Sequence, residues 1–532
     1  MSIQASNALC HIPLGVRCLF LFYLTTLFLS PAQSQDNLLN DLDALMNNEE
    51  AQENAESSSD SLLDSLDSAL ESEPAQTSKD PQSPTPQLDS AQADDSILHE
   101  FAQNLSGAVK LRGWHYINAI ETVNTEDLDT RDSFVYGMLE LESGLRRDKW
   151  RVDIAGWVEG GNESYRWAGL SQVWRDAEER SRYAELNEMY LQLFFEEFDL
   201  TIGKRIFNNG LSPLFSPADR YAPRDYHDPL QAKKLGTWQV TADYYVGNSN
   251  ITAAFFPVYQ TSKTPAQESR WLAGSVDFDF TGLRSGNDEI QLIRENPQVA
   301  FDNFGYFLRG KTILSGWDLF ASLYYGPNPL FALSIEHLQF KPLGDPIGPF
   351  APQYLDSFDF VKSNPNVAQT AAGFSTTLGR WEIHGDLLYN HSPDGRDDSY
   401  LHYLAGFTYK ISEWAKYLKL SSIDIVLDYT NVWITEEQYA DRYLRSFGDY
   451  RYGNSELLGL IRFQVDPRLF FYVSSIYPVG RDDGYIQGGI ERQFTDALSA
   501  RFSYDHFYGP DDSDYGRWSD ANRFVLSIEY QF

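Results

Sequence analysis

The last ten residues read Arg523-Phe524-Val525-Leu526-Ser527-Ile528-Glu529-Tyr530-Gln531-Phe532. Counting back from Phe532, Tyr530, Ile528, Leu526 and Phe524 share one face of an extended strand. Gln531, Glu529, Ser527 and Arg523 share the other, with Val525 the exception. Side chains along a strand point alternately to its two faces, so a period of two sorts apolar from polar. Apolar residues outside and polar residues inside make the wall of a barrel with lipid around it and water within. An aromatic residue ending such a strand is the expected signal for barrel-insertion machinery.

The same dyad recurs upstream. Trp150, Val152, Ile154, Gly156 and Val158 oppose Arg151, Asp153, Trp157 and Glu159. Ile423, Ile425, Leu427 and Tyr429 oppose Asp424, Asp428 and Thr430, and Leu498, Ala500, Phe502 and Tyr504 oppose Ser499, Arg501, Ser503 and Asp505. A soluble sandwich also alternates. The barrel reading is separated from it by strands of about ten residues, by their number, by a secretory leader at the start of the chain and by the aromatic terminus, and an aromatic content of 15% suits a girdle at each membrane interface. Both chain ends belong on the periplasmic side, where turns are short, so the strand count is even. Eighteen strands satisfy this alternation, from about 106–118 and 131–145 to 498–509 and 519–532. A further apolar segment at 329–340 would put the connection after it on the short-turn side, so 327–365 is assigned wholly to an outside loop. The expected fold is all-β: a closed antiparallel transmembrane β-barrel of about 18 strands with a disordered acidic N-terminal tail. A barrel of 16–18 strands leaves an aqueous lumen, and the long segments 161–183, 208–234, 259–300 and 327–365 can fold into it.

Outward from this barrel, the start of the chain reads as a secretory leader, residues 1–34. Arg17 supplies the positive charge, Cys18 to Leu29 the short apolar run, and Ala32-Gln33-Ser34 the small residues before a cut. No later stretch offers 18 consecutive apolar residues, so no helical anchor is expected. Residues 35–95 form an acidic periplasmic linker without aromatics, which cannot bury enough apolar area to fold alone. Within it Leu38-Leu39-Asn40-Asp41-Leu42-Asp43-Ala44-Leu45 returns as Leu62-Leu63-Asp64-Ser65-Leu66-Asp67-Ser68-Ala69-Leu70. The leucines fall at helical spacing, so the repeat is either a compositional coincidence or a docking motif for a periplasmic partner. A short helix is expected over 96–105, and the barrel over 106–532.

Charge and cysteine content exclude several classes. The formal charge is −34, of which residues 1–100 contribute −15 through 17 acids and 2 bases. Such acidity disfavours nucleic-acid binding, which needs basic stripes to neutralise phosphates. Both cysteines, Cys10 and Cys18, lie in the leader, so the mature chain has no thiol nucleophile, disulfide or thiolate metal site.

Alternation then places candidate functional residues on the lumen face. Lys110, Arg112, Arg151, Arg205, Arg462, Arg501 and Arg523 point inward, with Glu140, Glu142, Asp153, Glu188, Glu382, Asp386, Asp424, Asp428 and Asp505 among them. Arginine grips carboxylates bidentately, so these cations either attract an anionic solute or pair with the acids across neighbouring strands.

One segment is more specific. Leu186-Asn187-Glu188-Met189-Tyr190-Leu191 is followed by Asp199-Leu200-Thr201-Ile202-Gly203-Lys204-Arg205, then Asn209-Gly210 and the run SPADRYAPRDYHDP from Ser216 to Pro229. This resembles the "LNEAYL … DLxxGRQ … WG … PxDxxNPxD" run of outer-membrane channels related to the alginate-export porins. Here Lys204-Arg205 stands where Arg-Gln is usual, Asn209 replaces the Trp, and Ala222-Pro223 replaces Asn-Pro. The resemblance implies a loop folded at the pore and passage of an anionic or sugar-like solute, with Arg205, Asp219, Arg220, Arg224 and Asp225 near the constriction.

The expectation is therefore a non-enzymatic outer-membrane channel or exporter of a polar, anionic or saccharide solute in a Gram-negative bacterium. A surface receptor or structural barrel with a blocked lumen is the alternative. A barrel-embedded hydrolase would need a Ser/His or Asp/His pair on one face, and the neighbours His391 and Ser392 point to opposite faces. No cofactor is expected beyond a possible Ca²⁺ at the outer loop Pro510–Asp520, whose carboxylates lack EF-hand spacing.

Overall fold

The computed structural model describes residues 99–119, 129–168, 180–265, 268–273, 291–294, 303–342, 353–436, 453–511 and 513–532. The expected leader and the acidic linker with its leucine repeat lie outside the described residues. Residues 99–103 are helical, inside the span expected for the short helix. This turn is tied to the barrel base by Glu100 on Arg147 and by the Ser143 hydroxyl donating to the Phe101 carbonyl at 2.7 Å.

Eighteen strands form one sheet: β1 (Ser106–Tyr116), β2 (Ser133–Arg147), β3 (Trp150–Gly161), β4 (Ala184–Phe194), β5 (Phe198–Arg205), β6 (Thr237–Val246), β7 (Ser249–Phe256), β8 (Gly305–Leu314) and β9 (Trp317–Pro327). It continues with β10 (Asn366–Leu378), β11 (Trp381–His391), β12 (Ser399–Ile411), β13 (Ser422–Glu436), β14 (Glu456–Asp466), β15 (Leu469–Pro478), β16 (Gly484–Gln493), β17 (Leu498–Tyr508) and β18 (Arg523–Gln531). Each strand pairs antiparallel with the next, and β18 pairs with β1 from Ala108↔Gln531 to Tyr116↔Arg523. The sheet is closed and has no edge strand, so it needs no partner chain to complete it.

The connections alternate as a membrane meander requires. At one end the turns are short. The β8–β9 turn has positive φ at both Ser315 (52°) and Gly316 (81°), the type I′ geometry that matches strand twist. At the other end the loops are long. The apolar segment 329–340 proves to be a strand, Ala332–Pro342, yet not a barrel strand. It pairs with Gln353–Ser363, which pairs in parallel with Gln291–Arg294, in a separate three-stranded sheet.

The outer wall carries the apolar half of the alternation. Leu111, Val135, Ile251, Leu308, Leu323 and Leu526 are about half exposed, as are Phe524, Ile528, Tyr530 and Phe532 of the quoted terminus. A surface so apolar is one a barrel turns to hydrocarbon. Near the short turns, aromatic pairs Phe195–Phe198 (4.3 Å) and Trp381–Tyr409 (4.2 Å) form part of a girdle.

The inner wall changes character along its height. Near the turns, inward side chains such as Lys110 and Glu140 are about a third exposed. Near the loops the lumen is packed like a protein interior. Trp114, Tyr116, Phe134, Tyr136, Tyr485 and Phe507 join Trp271 and Trp518 from folded-in loops in one buried cluster. Val525, the exception to the terminal alternation, belongs to this cluster opposite Trp114. The inner wall is thus partly exposed at the turn end, while the loop end is filled by side chains.

Candidate functional site: a loop crossing the lumen

The segment between β5 and β6, residues 206–236, folds inward. Its path is set by two short 3₁₀ turns, each with Pro at its start and a capping side chain. Ser216 accepts from the Ala218 amide at 3.1 Å, and Asp228 from the Leu230 amide at 3.2 Å. Leu214, Ala218, Tyr221, Tyr226, Leu230, Ala232 and Leu235 are all buried, so this loop is a piece of the interior rather than a surface excursion.

Its first limb, residues 207–221, lies against β7–β12. The Arg309 guanidinium of β8 donates to the Asn208 carbonyl (3.1 Å), and the Asn209 amide side chain donates to the Ser322 hydroxyl of β9 (2.7 Å). The Leu211 and Ser212 amides donate to Asp386 of β11 at 3.2 and 3.1 Å. Phe215 and Arg220 approach His402 and Tyr400 of β12, at 5.3 and 5.5 Å between ring centroids and from guanidinium carbon to ring centroid. Between this limb and the wall remains a cavity of about 30 Å³, lined by residues including Phe207, Tyr221, Pro223 and Tyr324. That is room for about one water.

The second limb, residues 223–236, returns to the opposite wall and is held by charge. Asp228 takes Arg112 of β1 and Arg523 of β18, both at 3.0 Å, and Arg523 also reaches Asp505 of β17 at 2.7 Å. Lys233 reaches Glu159 of β3 at 2.8 Å, and the Gly236 amide donates to the Asn187 side chain of β4. Asp225 pairs with His227 (2.7 Å) and with Lys263 (3.7 Å), a residue of the next loop that also binds Glu185 of β4 (3.1 Å). Burial pushes the Asp228 carboxyl up, but the Arg523 and Arg112 guanidiniums outweigh it and hold it down at about 2. In an eighteen-membered ring β1 lies opposite β10, so contacts to β1 and β18 on one side and β8–β12 on the other mean that the loop spans the lumen.

The predicted site residues separate into three groups. Arg112 and Arg523 meet at the loop through Asp228. Lys110, Arg151 and Arg501 point inward elsewhere, each beside an acid: Glu140 at 2.7 Å, Asp153 at 2.5 Å and Glu491 at 2.5 Å. Arg462 is buried and stacks on Phe470 (4.0 Å). Glu188 accepts from the Ile206 amide at 3.0 Å, and Asp219 from the Asn209 and Gly210 amides at 2.6 and 3.0 Å, so both acids shape the loop entry. In the third group are Arg205, stacked 4.9 Å over Tyr190, Arg220 over Tyr400, and buried Arg224. Among the described residues these three have no carboxylate partner.

Alternation missed several participants. Lys204 should face outward beside Arg205, yet it is 3% exposed and reaches inward Glu185 at 3.3 Å. The cause is Gly203, whose φ of 140° breaks the strand's phase. A Cβ there would also lie 2.2 Å from the Met189 carbonyl oxygen. Arg309 shares the inward face of β8 with Phe307, a period-two signal present in the sequence, and it too has no carboxylate partner among the described residues. Glu185 and Lys263 carried no such signal: Glu185 is out of phase with inward Glu188 and is turned in by the register shift between Glu188 and Leu186, and Lys263 lies in a loop, where alternation does not apply.

Ser181, His227 and Asp225 come together, but Ser181 Oγ (3.2 Å) and Asp225 Oδ1 (2.7 Å) both approach Nδ1 of the ring. A relay needs the two partners on different ring nitrogens. His391 meets Ser399 rather than Ser392, at 3.1 Å, and Ser399 is fully buried. In the loop before β18, Asp514 is bound by Arg481 and Arg517, and no cluster of three or more metal-ligating side chains forms among the described residues.

No protein-family model matches the chain, and no curated protein matches it. Among solved structures, OpdQ of Pseudomonas aeruginosa is 11% identical, covering 81% of this chain and 99% of that one with a TM-score of 0.41. OccK11 (OpdR) of the same organism is 10% identical over 81% and 96%, with a TM-score of 0.40. OmpF of Salmonella typhi is 10% identical over 80% and 97%, with a TM-score of 0.35.

Proposed function

We propose that this chain is an outer-membrane channel for a polar, anionic solute, with its short turns and N-terminal tail in the periplasm of a Gram-negative bacterium. The closed barrel with an apolar outer belt supports the membrane setting. The observation that carries the anionic reading is a contrast among arginines. Arg112, Arg151, Arg501 and Arg523 are neutralised by acids, whereas Arg205, Arg220, Arg224 and Arg309, at or on the lumen loop, have no carboxylate partner among the described residues. Guanidiniums without a protein carboxylate are suited to a passing carboxylate, sulfate or phosphate. The likeness of 186–229 to alginate-export channels supports a charged saccharide as that solute and export as the direction. The leucine repeat supports a periplasmic partner. Ion-selectivity in planar bilayers tests the reading. The wild type should prefer anions despite its net negative charge, and Arg205→Ala with Arg220→Ala and Arg309→Ala should lower that preference without loss of folded protein. A cation-selective wild type, unmoved by the triple substitution, would refute it.

A second reading, a receptor or structural barrel, is favoured by one observation: the loop crosses the whole lumen and is buried along most of its length. It predicts that no condition opens the barrel to ions.

A further inference from the structure

Four successive amides of the lumen loop donate to carboxylates. Those of Asn209 and Gly210 go to Asp219, within the loop, and those of Leu211 and Ser212 go to Asp386, on the wall. The Leu211 and Ser212 amides turn to the same Asp386 oxygen, and consecutive backbone N–H groups so turned make an anion-binding concavity. Gly210 permits the close approach, since a Cβ there would lie 1.8 Å from Ser216 Oγ and 3.2 Å from Asp386 Oδ2. Around this concavity stand cations with no carboxylate of their own among the described residues. Arg309 binds the preceding Asn208 carbonyl, and Arg220 follows Asp219 in the chain. The limb carrying it is otherwise fastened to the wall by ring contacts and by hydrogen bonds to Ser322 and Arg309, with no ion pair among the described residues, whereas the other limb is fastened by buried ion pairs.

We propose that Asp386 occupies this concavity as a built-in stand-in for the carboxylate of an anionic solute, and so latches the loop's first limb across the lumen. A solute carboxylate competes for the Leu211 and Ser212 amides with the same acceptor chemistry, and Arg220 and Arg309 favour its arrival. Once Asp386 is displaced, the first limb leaves the wall while the second stays anchored through Asp228, Asp225 and Lys233. The lid is therefore opened by the class of solute it admits. This inference rests on the channel reading above and adds its regulation.

The test uses the full-length protein in planar bilayers, with glucuronate as the probe against chloride at constant ionic strength. Glucuronate should raise the open probability of the wild type. Asp386→Asn keeps the side-chain shape but loses the anionic acceptor of two amides. It should open in chloride alone, by about tenfold or more, and no longer respond to glucuronate. A second variant guards against misfolding. Asn209→Cys with Ser322→Cys joins two side chains that touch at 2.7 Å, in a protein whose own cysteines are Cys10 and Cys18 of the leader. Oxidised, it should stay closed in glucuronate, and a reductant should restore the response. Folded Asp386→Asn with wild-type conductance and glucuronate response, or an oxidised lock that conducts like the reduced one, overturns the latch alone. Silence in every arm, including Asp386→Asn and the reduced lock, overturns the channel reading and the latch together.

Discussion

The turn end and the loop end of this barrel are built from the same strands, yet their inward side chains meet opposite surroundings. Strand β1 contains both. Lys110 is about a third exposed and shares Glu140 and Glu529 with water around them. Two residues on, Arg112 is nearly covered and bound to Asp228, and Trp114 and Tyr116 beyond it are 5% and 4% exposed. The alternation that sets inside and outside says nothing about height. Loops supply that coordinate, because only at their own end can they fold in and displace water. An ion pair in the wet half gains little, since solvent already screens it. The same pair in the packed half is held in low dielectric, and losing one member strands the other.

Four measurements would break or sharpen this contrast. The largest effect should come from Arg523→Ala, which leaves Asp228 and Asp505 facing each other without their shared cation. A loss of about 3–5 kcal/mol is expected, read from the denaturant midpoint of the heat-modifiable form. A loss no larger than that of an exposed pair would mean that the loop end is hydrated after all. Leu111→Lys, one residue from Arg112 but on the lipid face, should cost about 2–4 kcal/mol by the same assay if it sits near mid-membrane. A neutral result there would place the belt elsewhere.

Acid should act on the loop anchor next. Asp228 is held at about 2 in the folded protein against an unfolded value of about 3.9. A depressed carboxyl stabilises fully above the unfolded value, and this is lost as pH falls through the folded one. Its contribution of about 2–3 kcal/mol should therefore persist at pH 5 and fade between about pH 4 and 2. Protease cleavage within 223–236 across that range reports it, and cleavage already appearing at pH 6 would contradict the anchor. Smallest of all, Lys110→Ala should change stability by about 0–1 kcal/mol, and less at high salt. A change as large as that of Arg523→Ala would erase the distinction between the halves.

What was legible beforehand follows from which interactions are local. Strand positions and the inward set, including Arg151, Arg501 and Asp386, come from period two, which needs only neighbours in sequence. The separate sheet at Ala332–Pro342 has the same local texture as a barrel strand, so texture showed a strand and only the alternation of turns and loops kept it out of the wall. That 208–234 can enter the lumen was legible from its length, and the resemblance put Asp219 and Asp225 near the constriction. The partners of the loop acids were not legible, because Arg523, which meets Asp228, stands 295 positions away and Lys263, which meets Asp225, belongs to another loop. Lys204 was hidden by a backbone angle at Gly203 that no composition reveals.

Asp228 also has a bearing on assembly. Its two arginines stand on β1 and β18, the first and last strands, so one loop carboxylate bridges the seam where the sheet closes on itself. That seam joins the residues farthest apart in the chain and is the slowest contact to form by topology alone. The anchor cannot be completed until the final strand has been delivered, and a barrel that zipped shut with the loop outside would leave Arg112 and Arg523 side by side, repelling each other across the joint. Insertion of the loop and closure of the cylinder are thereby coupled into one event, with the same side chain acting as the check that both have happened.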